Sequence, residues 1–259
     1  MGNLKDFYEL ILNLILRYFA KGQVIDRRLV ALESVTKFGS LAAPARTEYG
    51  SIYEDFLVIL DPGHGVLEEG KRSPDESVRE YVFMRMLCSH IVNILQKKNI
   101  NYIVTTPDYD WDTNTFNLVY PLDRNFLRER SRIAVALPDK KKLFISLHID
   151  GYRSGWSSPR GMSVFRYPGT NDRVSRIVMS CLARASELKP RDSWLKEKNF
   201  SILRNTRKHM HSVLFEHGFM TNKKDVEILL KEETLPALAK GWYNAIRKIA
   251  FWYEQLGEY

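Results

Sequence analysis

The chain has 259 residues, 44% of them hydrophobic and 27% charged, which suits an ordinary globular protein rather than a disordered or fibrous one. That length fits one large domain, or one of about 200 residues with an appendage. The net charge of +8 favours an anionic partner such as nucleic acid, an acidic envelope polymer or a membrane surface, although a basic solubilising surface reads the same way. Nucleic acid is disfavoured, because there is no Lys/Arg block, zinc-finger spacing or RNA-binding signature.

Residues 4–19 carry Leu4, Phe7, Leu10, Ile11, Leu14, Ile15, Tyr18 and Phe19 at helical spacing, leaving an apolar stripe that needs a partner. Glu9, Asn13 and Arg17 interrupt the run, which is too short and too polar to span a membrane. Asp6 and Glu9 occupy the place of a signal peptide's basic region and no small-residue cleavage site follows, so the expectation is a chain made in the cytoplasm without a signal peptide. A second helix is expected over residues 25–35, and Lys37-Phe38-Gly39-Ser40-Leu41-Ala42-Ala43-Pro44 reads as a linker. Residues 1–50 are therefore expected to form a helical extension and linker ahead of a domain at 51–259. The extension can dock on that domain, self-associate or bind a surface; docking is the simplest of these.

From Phe56 the pattern alternates between strand and helix, the signature of an α/β domain with a mainly parallel twisted sheet and helices on both faces. Phe56-Leu57-Val58-Ile59-Leu60 reads as a buried strand that Asp61-Pro62-Gly63 cannot continue, which puts His64 on a tight turn at its carboxyl end. A long helix is expected over 77–96, a strand over 101–105, an aromatic and acidic loop over 107–125, and a helix over 127–137. Lys142 to His148 is a second buried strand. A Gly/Ser/Trp loop at 151–160 leads to a strand at 162–166 and a helix at 172–188. Ile202-Leu203 reads as a short strand, Met210 to Phe215 as a further apolar run ending at Glu216, and 222–230 and 235–253 as closing helices. Cys88 and Cys181 sit in helix-like apolar patterns and read as buried thiols rather than a disulfide.

His64, His148 and Glu216 each end a strand-like segment, and in a parallel sheet those ends share the edge where ligands bind. Glu80 opens the helix after the His64 turn, at the end that faces the same edge. Two imidazoles and a carboxylate form a three-ligand zinc set with a position left for water, and Glu216 can take a proton from that water. Taken singly, each has an ordinary alternative. Glu80 complements a helix dipole, His148 is a satisfied core histidine, and Glu216 pairs with a nearby base.

In their order these motifs resemble the zinc-dependent N-acetylmuramoyl-L-alanine amidases of bacterial cell-wall turnover and phage lysis. The carrying residues are Leu60-Asp61-Pro62-Gly63-His64-Gly65, Glu80 ahead of the Tyr102–Thr106 strand, the helix with Leu127, Arg130 and Ala134, Ile145-Ser146-Leu147-His148-Ile149-Asp150, and Glu216-His217-Gly218-Phe219-Met220-Thr221-Asn222. The resemblance runs from about Phe56 to Ile249. It implies His64, Glu80 and His148 as ligands of one Zn2+ and Glu216 as the acid/base. Departures are Pro107 in place of an Arg, Asp150 in place of an Asn, and His217 in place of a small or apolar residue; His211 and His217 stand as extra site residues or mere neighbours of the metal.

The function so implied is hydrolysis of the amide between N-acetylmuramic acid and L-alanine in peptidoglycan, for lysis of the wall in the manner of a phage endolysin. The alternatives are a non-catalytic wall-binding protein of this fold and a zinc peptidase cutting elsewhere in the stem peptide. The aromatics of 109–116 and Trp156 are either walls of a glycan–peptide groove or caps on the core. Peptidoglycan is the expected partner, with self-association through the N-terminal helices as a further option.

Overall fold

The computed structural model describes residues 53, 55–65, 72–110, 113–118, 126–137 and 141–255. The expected N-terminal helices and linker, and Trp111, lie outside the described residues. The elements in chain order are β1 (Phe56–Pro62), α1 (Glu80–Lys97), β2 (Tyr102–Val104), β3 (Tyr109–Asp110), β4 (Thr115–Phe116), α2 (Phe126–Ala136) and β5 (Lys141–Asp150). They continue with β6 (Met162–Arg166), α3 (Arg173–Ala185), β7 (Pro190–Glu197), α4 (Ser201–Thr206), β8 (His211–Phe219), α5 (Lys223–Leu229) and α6 (Thr234–Gln255).

Six strands form one sheet in the order β2-β1-β5-β8-β6-β7. The pairs β1/β2, β1/β5, β5/β8 and β6/β7 are parallel; only β6 against β8 is antiparallel. Both faces of the central strands are covered, which is why they read as continuous apolar runs rather than alternating ones. Val58, Leu60, Ile145 and Phe215 pack under α1, α3 and α6, a layer centred on the fully buried Trp242. Ile59, Phe144 and Leu214 meet Ile133 and Ala134 of α2 and Ile202 and Leu203 of α4 on the other face.

The expected α/β architecture is present, with two local differences. Ile202 and Leu203 lie in a helix, not a strand. Both are buried in the second apolar layer, and Thr206 Oγ1 donates to the Ile202 carbonyl at 2.8 Å. Strand β7 was not expected at all; its PRDSWLKE sequence is polar and opens on proline, as suits an edge strand whose outer side meets water. Within 107–125, β3 and β4 pair as a small antiparallel hairpin. Tyr109 of that hairpin is buried in the core, its ring 4.9 Å from that of Phe116, so it caps the core and does not wall a groove. Trp156 is 38% exposed and Tyr152 46%, both on the 151–160 loop at the sheet's carboxyl edge.

Candidate active site

The turn after β1 is built from backbone constraints before any side chain acts. Gly63 N–H donates to the Leu147 carbonyl at 2.9 Å, which lays the turn against β5. A Cβ on Gly63 would stand 2.2 Å from His148 Cε1, so any larger residue must displace the ring or the turn. His64 follows with φ of 59°, a left-handed conformation that L side chains rarely adopt. Two buried arginines hold it there. Arg85 of α1 donates from Nη1 to the Pro62 and Gly63 carbonyls at 3.1 and 2.6 Å, and from Nε to Asp108 Oδ2 at 2.8 Å. Arg130 of α2 donates to the Pro62 carbonyl at 3.2 Å, and its Nε lies 3.3 Å from Asp61 Oδ1. Each guanidinium thus has a carboxylate partner, without which burial of the charge would cost several kcal/mol. Neither Arg85 nor Asp108 was picked out from the sequence. The available signal was a single cation in an otherwise apolar stretch of α1.

The structure brings His64, Glu80 and His148 together, with one donor atom from each inside a 4.8 Å cluster. Glu80 Oε2 lies 3.3 Å from His64 Nε2; its Oε1 lies 2.9 Å from His148 Nδ1 and accepts from Ile149 N–H at 3.1 Å. Burial of the carboxyl raises its pKa, but the charge of His64 and the hydrogen bond and charge of His148 outweigh that and leave it lowered. On the far side of His148, Ser146 Oγ donates its proton to Asp61 Oδ2 at 2.7 Å, leaving an oxygen lone pair 3.1 Å from His148 Nε2. Asp61 is fully buried and also accepts from Thr105 Oγ1 at 2.6 Å. The His148 ring is thus held between two partners, Nδ1 hydrogen-bonded to the Glu80 carboxylate and Nε2 facing the Ser146 oxygen. A tetrahedral ion with ligand distances of about 2.0–2.1 Å separates its ligands by about 3.3 Å, and this donor set fits one.

Glu216 of β8 is the register partner of His148 on β5 and of Ser163 on β6, so it lies beside the cluster on the next strand. It is outside the three-donor group. Lys196 lies within reach of the charges of both Glu216 and Asp150. Burial raises the Asp150 carboxyl pKa, opposed by Gly151 N–H and by the charges of Lys196 and Arg191. Burial lowers the Lys196 ammonium pKa, as does Arg191, while Asp150 and Glu216 oppose the shift. Lys196 sits on β7, the strand that sequence reasoning missed.

His211 and His217 are not in the cluster. His211 opens β8 at the opposite end of the sheet, with Nδ1 2.6 Å from the Tyr253 hydroxyl. His217 is fully buried behind β5: its Nδ1 donates to the His148 carbonyl and its Nε2 accepts from Trp242 Nε1, both at 2.9 Å. It braces the strand that carries His148. Next to it, Gly218 has φ of 106°, and Asn222 caps α5 by accepting from the Lys224 and Asp225 amides. The Asn222 amide also donates to the Ser157 and Ser158 carbonyls, fastening the 151–160 loop.

Burial lowers the His217 pKa to about 3. An unfolded histidine takes up its proton near about pH 6.5, so folding favours the neutral ring and the stability it contributes is present above that value. That stability falls by about 1 kcal/mol per pH unit as pH drops from about 6.5 toward 3. Denaturant unfolding between about pH 7 and 5 is therefore expected to lose stability more steeply in the native chain than in a His217→Gln variant. Equal slopes would remove His217 as a source of the acid sensitivity.

Residues 58–248 match the family model described as N-acetylmuramoyl-L-alanine amidase. The chain belongs to the N-acetylmuramoyl-L-alanine amidase family. As a member it is a hydrolase of peptidoglycan that cleaves the amide between N-acetylmuramic acid and L-alanine. It is 28% identical over 197 residues to the uncharacterized protein YqiI of Bacillus subtilis (strain 168), covering 74% of this chain and 84% of that one. It is 27% identical over 199 residues to the endolysin of Bacillus phage SPP1, covering 74% of this chain and 65% of the endolysin. The amidase fold is shared with the catalytic domain of CwlV from Bacillus (Paenibacillus) polymyxa var. colistinus, with a TM-score of 0.60 at 23% identity over 74% of this chain and 97% of that one. No helix of this amidase, among the described residues, is long and apolar enough to cross a membrane.

Proposed function

We propose that His64, Glu80 and His148 hold one zinc ion, and that Glu216 is the acid/base for hydrolysis of the muramoyl–alanine bond in wall lysis of the endolysin kind. The observation that carries this reading is the convergence of the three donors, with the His148 ring held between Glu80 and the Ser146–Asp61 pair. When bound there, zinc supplies a Lewis acid for the scissile carbonyl and lowers the pKa of water in the site toward neutrality.

The chain's own residues supply the rest. Arg85 and Arg130 fix the turn, so the His64 ring stays aimed without reorganisation. Glu216, in register beside His148, takes a proton from the attacking water as its oxygen bonds to the lactyl carbonyl carbon. Glu216 then passes that proton to the alanine nitrogen as the C–N bond breaks. The products are the lactyl carboxylate and a free α-amino group on alanine. Tyr152 and Trp156 on the loop fastened by Asn222 give the adjoining surface aromatic faces for sugar rings.

Metal analysis coupled to product identification tests the proposal. The purified chain is expected to carry one zinc per molecule and to release N-terminal alanine from peptidoglycan with its glycan intact. Treatment with a chelator should abolish that release, and added zinc should restore it. Unchanged release by a verified metal-free chain would refute the zinc site; a new terminus at another stem residue would refute the bond assigned.

A further inference from the structure

At the sheet edge opposite the active site lies a cavity of about 840 Å³. Its walls come from the start of β5, the turn between α4 and β8, and the loop from β6 to α3. The lining includes Lys141, Lys142, Arg207 and Lys208, with Asp55 as its one acidic residue among the described residues. Thr170 and Ser212 also line it, their hydroxyls donating to the Tyr167 and Met210 carbonyls. The Arg207 guanidinium stacks over the Tyr167 ring at 4.2 Å, which fixes its plane at the rim. Lys141 is shared with Glu254 at 3.4 Å and Lys142 Nζ donates to the Leu137 carbonyl at 3.1 Å, while Arg207 gives one of its N–H groups from Nη1 to the Arg204 carbonyl and keeps others for a ligand beside Lys208.

We infer that this cavity is a second binding site, for a phosphate-bearing polyanion of the cell envelope. A tetrahedral phosphate presents oxygens in several directions and suits donors converging from three chain segments, whereas a planar carboxylate uses two. Lys141 stands at one end of β5 and His148 at the other, about 23 Å apart at about 3.3 Å per residue, so a ligand seated here leaves the catalytic edge open. A chain held at one pole raises the effective concentration of the surrounding wall at the other without any new contact to the scissile bond. The excess of basic residues then serves retention on the polymer rather than catalysis.

The test uses the full chain and linear polyphosphate as probe, followed by fluorescence anisotropy over a salt series. The native chain is expected to bind with an affinity that falls steeply with salt, and R207E/K208E to bind about tenfold or more weakly with a shallower salt slope. A control, K98E/K240E, makes the same charge change at exposed sites elsewhere and should stay within about threefold of native. Hydrolysis of a small soluble muramoyl peptide should be the same in all three proteins, which separates this site from the catalytic one. No binding by the native chain, or equal weakening by the control pair, would overturn the inference. Equal binding of a carboxylate polymer such as polygalacturonate would overturn the choice of phosphate.

Discussion

Glu216→Gln is expected to lower kcat on peptidoglycan by about a thousandfold while the purified variant keeps its full complement of zinc. The substitution preserves the shape of the side chain and its place in register beside His148 but removes its ability to take up a proton. Because Glu216 lies outside the three-donor cluster, metal content should not follow activity down. KM should change little, since the group acts on the proton in flight rather than on bound sugar or peptide. Activity within about tenfold of native would move the acid/base role to another group, and loss of zinc together with activity would make Glu216 part of the metal site.

Gly63→Ala is expected to do the reverse and damage the metal site first. The added methyl would lie 2.2 Å from a carbon of the His148 ring, so either the ring or the turn must move. The turn resists, because Gly63 is bonded through its N–H to Leu147 and through its carbonyl to Arg85. The ring resists as well, being tied to Ser146 on one side and Glu80 on the other. We expect zinc affinity to fall by about a hundredfold and folding stability by about 1–3 kcal/mol, read by competition with a chromophoric chelator and by denaturant unfolding. Native zinc affinity in this variant would mean that the His148 ring does not pack against the turn.

The parts of the molecule that were readable in sequence are those where local pattern and burial agree. Apolar runs such as Leu57–Leu60 and Leu143–Ile145 read as central strands covered on both faces, and the ends of their strands carry His64, His148 and Glu216 to one edge. Glu80 was legible because it opens a long amphipathic helix at that edge. The supports were harder to see. Arg85 has no local reason to be in an apolar helix; its reason is two carbonyls on a turn more than twenty residues earlier and Asp108 as far downstream. His217 looks like a site residue because it follows Glu216, but strand alternation turns it to the opposite face, under Trp242. Strand β7 escaped notice because an edge strand has only one neighbour and its polar side chains face water. The Ile202–Leu203 pair was too short for its period to distinguish helix from strand.

The reversal of β6 bears on how such an enzyme can diversify. Because β6 starts at the catalytic edge and runs back alongside β8, the loop between β5 and β6 leaves and re-enters the sheet at that same edge. The loop's two ends are set by strands in the sheet, and its middle is fastened through Asn222 and Thr221 rather than through His64, Glu80 or His148. Its length and side chains can therefore drift, or be exchanged wholesale between relatives, while the three donors and their arginine braces stay where they are. Selection for a different wall then acts on one cassette, and the hydrolytic chemistry is inherited unchanged.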